Sequence, residues 1–130
     1  FEDAQQRFSR GADKITLNQA LFETPELVDR IARRYGSQAV VASIDVLRHE
    51  DNRCEVFTAG KTTPTGKEPA AWARQVEDLG VGEILLQSIN RDGTGLGYDL
   101  DLISQVAAAV RIPVIACSGV GRYEDYAKGV

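Results

Sequence analysis

Several residue types are scarce in this chain, and each absence excludes a class of protein. The 130 residues contain no methionine and only two cysteines, Cys54 and Cys117. The cysteines lack CxxC spacing, so we expect two reduced, chemically inert thiols. No apolar run approaches the ~20 residues of a membrane-spanning helix, and no charged segment followed by an apolar one marks a signal peptide. We therefore expect a cytoplasmic protein that does not interact with membranes.

Positive charge and metal-ligand patterns are also lacking. Fifteen Lys and Arg face nineteen Asp and Glu, which gives a net charge of −4 and a pI of about 5.0 and argues against a nucleic-acid partner. No group of His, Cys and acidic residues has metal-ligand spacing, so we predict no metal. The single histidine, His49, lies in a polar stretch and is predicted to be solvated. The remaining composition, 43% hydrophobic and 26% charged, is typical of a globular domain.

The sequence at each end of the chain has a helical pattern that is cut short. Residue 1 is Phe within a helical pattern, and the helix that begins near Gly121 has room for only about two turns. We expect an internal part of a longer protein.

Helical and strand-like patterns alternate along the sequence. Helices are predicted at 1–10, 24–36, 68–79 and 99–110, and strands at 13–18, 39–45, 83–89 and 112–117. Thr24 and Asp99 are the expected N-caps, and Tyr35 and Trp72, on helical stripes, are expected to be packing residues. Residues 46–66 are Gly/Thr/Pro-rich and irregular, with a small hairpin arm at 53–58. Because each strand follows a helix and no hairpin joins two strands, parallel pairing is predicted.

The stretch from Glu83 to Asp99 is the most informative local pattern: a strand, a polar glycine-rich loop and a helix cap. Its loop lacks the GxGxxG spacing of a dinucleotide-binding fold. All four strands instead end in loops with candidate ligands: Asn18-Gln19, Asp45, Asp92-Gly93-Thr94 and Ser118 to Gly121. Functional loops after every strand are typical of a (βα)8 barrel. The predicted fold class is α/β, as an internal part of such a barrel with about four parallel strands and their helices.

Several motifs together resemble one protein family over the whole chain. They are Arg10 to Lys14, Tyr35 to Gln38, Ser43-Ile44-Asp45, Pro64-Thr65-Gly66, Gly82 to Leu86, Arg91 to Thr94, Gly97-Tyr98-Asp99 and Ile112 to Ala116. In this order they resemble the cyclase subunit of imidazole glycerol phosphate synthase, a (βα)8 barrel of histidine biosynthesis. The resemblance implies one partial barrel domain over 1–130. It would contain family strands four to seven, with a βα-loop insertion at about 46–66.

The resemblance also implies an activity. Asp45 matches an acid that works with a second aspartate, outside this chain, as general acid and base. The reaction joins ammonia to an open-chain ribulosyl-phosphate aminoimidazole carboxamide, closes the imidazole and releases aminoimidazole carboxamide ribotide. The implied partners are this phosphorylated substrate, ammonia and a glutaminase subunit, with no cofactor. Without the second acid, we expect the chain alone to be inactive.

Further roles follow from the same resemblance. Asp92, Gly93 and Gly119 match loops that hold one substrate phosphate, and Asn18 and Gln19 match the loop that holds the other. Lys14 and Glu83 match a charged ring through which ammonia enters. Each residue also has a simpler interpretation, namely strand end, Asx turn, helix cap or ordinary salt bridge. These alternatives stay open for Asp45, Asp92, Asn18, Gln19, Lys14 and Glu83.

Three positions depart from the family pattern. Asn90 stands where an acid is usual, and Ser118 replaces a glycine, which places a Cβ beside the expected phosphate and predicts a weakened or reshaped site. Val46 follows Asp45 and no lysine comes soon after, which is similar to a paralogous branch that amidates sugars for surface polysaccharides. That activity is the alternative enzyme. A second alternative is an inactive half-barrel that self-associates through its open strand edges.

Overall fold

Six strands form a single sheet in the computed structural model, which describes residues 1–130. The strands are β1 (Ile15–Leu17), β2 (Val40–Arg48), β3 (Cys54–Thr58), β4 (Thr63–Pro64), β5 (Glu83–Ser88) and β6 (Val114–Cys117). The helices are α1 (Glu2–Ser9), α2 (Ala20–Glu23), α3 (Glu26–Tyr35), α4 (Pro69–Leu79), α5 (Leu100–Ala109) and α6 (Tyr123–Lys128), and a 3₁₀ turn spans Ser37–Ala39. No helix has the length and apolar character needed to cross a membrane.

The four predicted strands are confirmed as a parallel set. β2 pairs in parallel with β1 and β5, and β5 pairs in parallel with β6. Helices α3, α4 and α5 lie in the connections between these strands, as expected for consecutive βα units. The chain is thus α/β.

A hairpin joins β2 to a strand outside the predicted four. β2 continues past the predicted end at Asp45 as far as Arg48 and pairs with β3 in antiparallel fashion, from Asp45 opposite Phe57 to Arg48 opposite Cys54. β3 then pairs with β4. We call residues 54–64 the arm. The irregular composition of 46–66 conceals this structure because its strands are short and carry polar residues, although the arm predicted near 53–58 is present.

One edge of β2 is shared by two neighbours. β1 pairs with Val40 to Ala42, and β3 pairs with Asp45 to Arg48, while β5 takes the other edge from Val41 to Val46. Along this edge, the neighbour of β2 is therefore the parallel strand β1 as far as Ala42 and the antiparallel strand β3 from Asp45 onward.

Helices α4 and α5 begin at acidic residues whose side chains cap them. Glu68 caps α4 by accepting hydrogen bonds from two backbone amides, and Gly80 ends it in the left-handed conformation. Asp99 caps α5, as predicted, by accepting from Leu102 N at 3.2 Å. The predicted cap Thr24 is wrong, because no side chain caps α3; Thr24 instead ends the unpredicted helix α2, where its amide donates to Ala20 O. Pro25 occupies the N-cap of α3.

The core lies between the sheet and helices α3, α4 and α5. The largest fully buried side chains are Leu21, Val28, Ile31, Val40, Ile44, Val46, Val56, Val76, Ile84, Leu86, Leu102 and Val106. Trp72 is buried and stacks on Phe22, with ring centroids 4.3 Å apart, and Tyr35 stacks on Phe8 at 4.0 Å. The predicted packing roles of Trp72 and Tyr35 are confirmed.

The opposite face of the sheet carries the polar side chains. In β5, Ile84 and Leu86 are buried against the helices, whereas the alternate Gln87 is half-buried on the other face. The register places Asp45, Gln87 and Cys117 in one row across that face. The carboxyl ends of the parallel strands therefore present these residues on the side away from the helices.

Candidate active site

Asp45 is the only acid among the buried residues of β2. Its side chain is 5% exposed, and Oδ2 accepts a hydrogen bond from Asn18 Nδ2 at 3.1 Å. Oδ1 is buried and has no hydrogen-bond partner. A buried carboxylate oxygen without a partner is costly for folding, so this arrangement is typical of a functional group.

Asn18 follows β1 directly and is fixed from three sides. Its Nδ2 donates to Asp45 and also to Ser43 O at 3.2 Å, and its Oδ1 accepts from Thr58 Oγ1 at 3.0 Å. These contacts determine the orientation of the amide. The side chain of Asn18 is hydrogen-bonded to Asp45 and to Ser43 O. The predicted binding of phosphate by Asn18 stays a prediction. Thr58 was not a predicted site residue, since it lies 40 residues along the chain.

Burial is the main influence on the acidity of Asp45. It raises the pKa of this carboxyl above its ordinary value, and the negative charge of Asp92 acts in the same direction. The ammonium group of Lys61 and the amide of Asn18 oppose the rise in pKa. A carboxyl group with a raised pKa is suited to accept and return a proton.

Lys61 reaches across from the arm to the loop after β5. Its Nζ lies 2.8 Å from Asp92 Oδ2, and this hydrogen bond raises the pKa of Lys61. Lys61 was not a predicted site residue. The ion pair brings a cation next to the predicted phosphate residue Asp92.

Gly93 and Gly119 offer free backbone amides. Neither N–H group donates a hydrogen bond within the chain, and both residues have positive φ, 73° and 94°. At Gly119 a side chain is excluded, because an added Cβ would lie 2.2 Å from Gly97 O. Gly97 N in turn donates to Gly119 O at 2.7 Å, which locks the loops after β5 and β6 together. Free amides in glycine turns are typical anion-binding groups.

Ser118 occupies a conformation that favours glycine. Its φ is +83°, and its hydroxyl group is buried without a hydrogen-bond partner. A residue other than glycine at this position thus introduces backbone strain beside Gly119.

The remaining predicted residues lie apart from Asp45. Gln19 is exposed and donates to Glu23 within α2. Lys14 and Glu83 form an ion pair at the amino-terminal ends of β1 and β5, the end of the sheet opposite to Asp45. The structure thus brings together Asn18, Asp45 and, through Lys61, Asp92, while the roles assigned to Gln19, Lys14 and Glu83 stay predictions.

Asn90 and Arg48 join the end of β2 to the loop after β5. Asn90 Oδ1 accepts from Arg48 N at 2.7 Å, and Asn90 Nδ2 donates to Arg48 O at 3.0 Å. The guanidinium of Arg48 contacts both carboxylate oxygens of Asp99 at 2.9–3.1 Å. An acid at position 90 would lack the N–H donor that Asn90 supplies.

His49 has a side-chain partner, and its side chain is 29% exposed. Its Nε2 lies 3.1 Å from Glu55 Oε1, because the β2–β3 hairpin folds the buried Glu55 back beside it. The amide of Gly66, Arg53 and His49 together lower the pKa of Glu55. Cys54 and Cys117 are not bonded to each other, and no three His, Cys, Asp or Glu side chains are grouped as metal ligands would be.

Comparison with known proteins finds one family. The family model described as "Histidine biosynthesis protein" matches residues 1–129. Three relatives, all named imidazole glycerol phosphate synthase subunit HisF, come from Pyrobaculum aerophilum, Alkaliphilus metalliredigens and Chlorobium limicola. The alignments cover 96–97% of this chain, and over these residues the relatives are 50%, 47% and 48% identical to it. The aligned segment covers 49–50% of each relative, so the chain spans about half their length.

Proposed function

Because the chain belongs to the histidine biosynthesis protein family, whose fold is the (βα)8 barrel, we propose that it is part of the cyclase subunit of imidazole glycerol phosphate synthase. The full-length gene product would take ammonia from a glutaminase subunit and join it to an open-chain ribulosyl-phosphate aminoimidazole carboxamide. The products are imidazole glycerol phosphate and aminoimidazole carboxamide ribotide. Residues 1–130 form part of one (βα)8 barrel domain of this enzyme and contain family strands four to seven.

The state of Asp45 carries the proposal. One carboxylate oxygen is held by Asn18, and the other is buried without a partner at the carboxyl end of a parallel strand. Ring closure with ammonia has to remove and supply protons, and a fixed carboxyl group of raised pKa does both in turn. Asp45 is the general acid or base on this wall of the site, and an aspartate outside these residues is its counterpart.

The other site residues have roles in phosphate binding at one end of the sheet and in ammonia entry at the other end. The free amides of Gly93 and Gly119 hold one substrate phosphate, together with the loop that contains Asp92. Asn18 and Gln19 contribute to the loop that holds the second phosphate. At the opposite end, the Lys14–Glu83 ion pair borders the ammonia entrance, where the glutaminase subunit docks.

An activity assay with ammonium salts tests the proposal without a partner protein. The full-length gene product is expected to convert the ribulosyl-phosphate substrate to both products, and Asp45→Asn is expected to abolish the conversion. Asp78→Asn is the matched control, because Asp78 is an exposed acid of α4 that makes no ion pair. Undiminished turnover by Asp45→Asn would overturn the assignment of Asp45.

Amidation of a sugar is the second candidate activity. It is favoured by the absence of a lysine near Asp45 in sequence and by Asn90, whose amide is committed to the backbone of Arg48. Assays of the same protein with the ribulosyl-phosphate substrate and with nucleotide-activated and keto sugars discriminate between the two activities. Turnover of a sugar alone would replace the cyclase assignment.

Residues 1–130 by themselves are proposed to be inactive and to self-associate. The face that carries Asp45 also exposes Ile115, which is 44% accessible, and β6 has only one strand neighbour. Light scattering at micromolar concentration is expected to show a dimer or a larger species. A monomer would contradict self-association.

A further inference from the structure

We propose that Lys61 is the residue that makes the glycine loops after β5 and β6 usable by an anion, because its ammonium group neutralises the carboxylate of Asp92. The free amides of Gly93 and Gly119 then bind a phosphate group next to a neutral ion pair. The inference rests on the proposed function, which supplies the phosphorylated substrate.

The negative charge of Asp92 is unfavourable for an anion bound at the neighbouring Gly93. Its side chain is 55% exposed and directly precedes Gly93, whose amide is free to bind an anion. A carboxylate beside a bound phosphate repels it, and the repulsion is strongest where solvent is displaced. A phosphate is therefore expected to bind here more tightly when the charge of Asp92 is balanced.

Lys61 is the group that balances it. The distance of 2.8 Å between Lys61 Nζ and Asp92 Oδ2 is that of a charge-assisted hydrogen bond. No other basic side chain pairs with Asp92, since Arg91 donates to Leu96 O and Arg48 is committed to Asp99. The phosphate end of the site thus depends on one lysine.

The backbone conformation of the turn in the arm places Lys61 next to Asp92. Ala59, Gly60 and Lys61 have φ values of 50°, 71° and 71°, which is unfavourable for two of the three. Thr62 stabilises the turn, because its amide donates to Thr58 O at 3.1 Å and its hydroxyl donates to Ala59 O at 2.7 Å. Strain held in place beside a candidate site is typical of a functional constraint.

The ion pair also acts on Asp45. Lys61 lowers the pKa of Asp45, and Asp92 raises it. Besides burial and the Asn18 hydrogen bond, these are the influences on the Asp45 carboxyl. Loss of Lys61 would leave the negative charge of Asp92 unopposed, so the pKa of Asp45 would rise further.

Binding of inorganic phosphate to the full-length gene product, followed by calorimetry or ³¹P NMR at low salt, tests the inference. Lys61→Met is expected to weaken phosphate binding about tenfold, with a smaller loss at high salt. Lys61→Arg keeps the charge and is expected to bind within about threefold of the wild type. In the Asp92→Asn background, Lys61→Met is expected to change binding by less than about twofold, because no charge is left to neutralise.

Two results would overturn the inference. One is wild-type phosphate affinity in Lys61→Met, and the other is an equal loss of affinity in the presence and absence of Asp92→Asn. The second result would mean that Lys61 contacts the anion directly. Circular dichroism and thermal melting of each variant exclude unfolding as the cause of a loss.

The same variants separate this inference from the proposed activity. If the enzyme turns over no ribulosyl-phosphate substrate but phosphate binding follows the expected pattern, the proposed function fails and the role of Lys61 stands. If turnover occurs, Lys61→Met is expected to raise KM and to move the acidic limb of the kcat profile to higher pH, which a purely structural residue would not do.

Discussion

The hydroxyl group of Thr58 donates a hydrogen bond to Oδ1 of Asn18, 3.0 Å away, and so turns the amide nitrogen of Asn18 toward Asp45. Thr58 ends β3, whereas Asn18 follows β1, so an acid on β2 is oriented through residues from both neighbours on one edge. Asp45 is thereby held by one oxygen only.

Replacement of Thr58 by valine should lower kcat about three- to tenfold with little change in KM, because the loss of one hydrogen bond frees the amide of Asn18 to rotate. Thr58→Ser retains the hydroxyl group and is expected to recover most of the activity. Steady-state kinetics of the full-length gene product measure both. Equal kcat values for Thr58→Val and the wild type would show that Asn18 needs no support.

Arg48→Met should destabilise the protein by about 2 kcal/mol, the range typical of hydrogen bonds to charged groups. The substitution leaves the largely buried carboxylate of Asp99 without its guanidinium partner. Urea denaturation measures the change in the free energy of unfolding. Arg74→Met, on the exposed side of α4, is the matched control and is expected to change stability by less than about 0.5 kcal/mol.

Two glycine substitutions should differ in cost although both residues have positive φ. Gly93→Ala meets no atom within 4 Å, so we expect only the conformational penalty of about 1 kcal/mol. Gly119→Ala adds a contact of 2.2 Å with Gly97 O, and we expect a loss of about 3 kcal/mol. Comparable urea midpoints for the two variants would contradict the tight contact between the loops.

Ser118→Gly should stabilise the protein by about 1 kcal/mol. The substitution relieves a positive φ and removes a buried hydroxyl group that has no hydrogen-bond partner. Thermal melting gives the sign, and Ser118→Ala separates the two contributions because it removes only the hydroxyl group. A lower melting temperature for Ser118→Gly would show that Ser118 is not strained.

The stability of Asp45→Asn relative to the wild type should depend on pH. Burial raises the pKa of Asp45 in the folded protein, so the folded state binds this proton more tightly than the unfolded chain does. As the pH falls from neutral toward about 4, the wild type therefore gains stability relative to the variant, and the gain ends below the unfolded pKa of about 3.9. Urea midpoints of both proteins across this range check the sign, which would reverse if hydrogen bonding outweighed burial.

The sequence was sufficient where a residue acts on its near neighbours. Asp99 could be predicted as the cap of α5 because the bond to Leu102 N depends only on local backbone geometry. The buried strand before Asp45 was recognisable from its apolar run. Its continuation to Arg48 was not, because pairing with β3 stabilises residues that have no strand-like pattern of their own.

The contacts around Asp45 could not be predicted from the sequence, because they depend on the tertiary structure. Lys61 and Thr58 lie in a stretch whose composition predicts only irregular structure, and their proximity to Asp92 and Asn18 depends on the register of the arm. For the same reason the partner of His49 was not predicted, since the hairpin brings Glu55 back beside it. Periodicity reports which face of an element is apolar but not which distant side chain meets it.

The exchange of neighbours along one edge of β2 has an evolutionary consequence. At the break, Asn18 takes the place of a strand partner, and its side-chain amide donates to the Ser43 carbonyl as a backbone N–H would. The acid and its orienting residue thus belong to the parallel strands, whereas Lys61 belongs to an appendage attached beyond them. We therefore expect descendants of this gene to tolerate insertions or substitutions in the arm after Thr58 without displacement of Asp45, the proposed proton-transfer group.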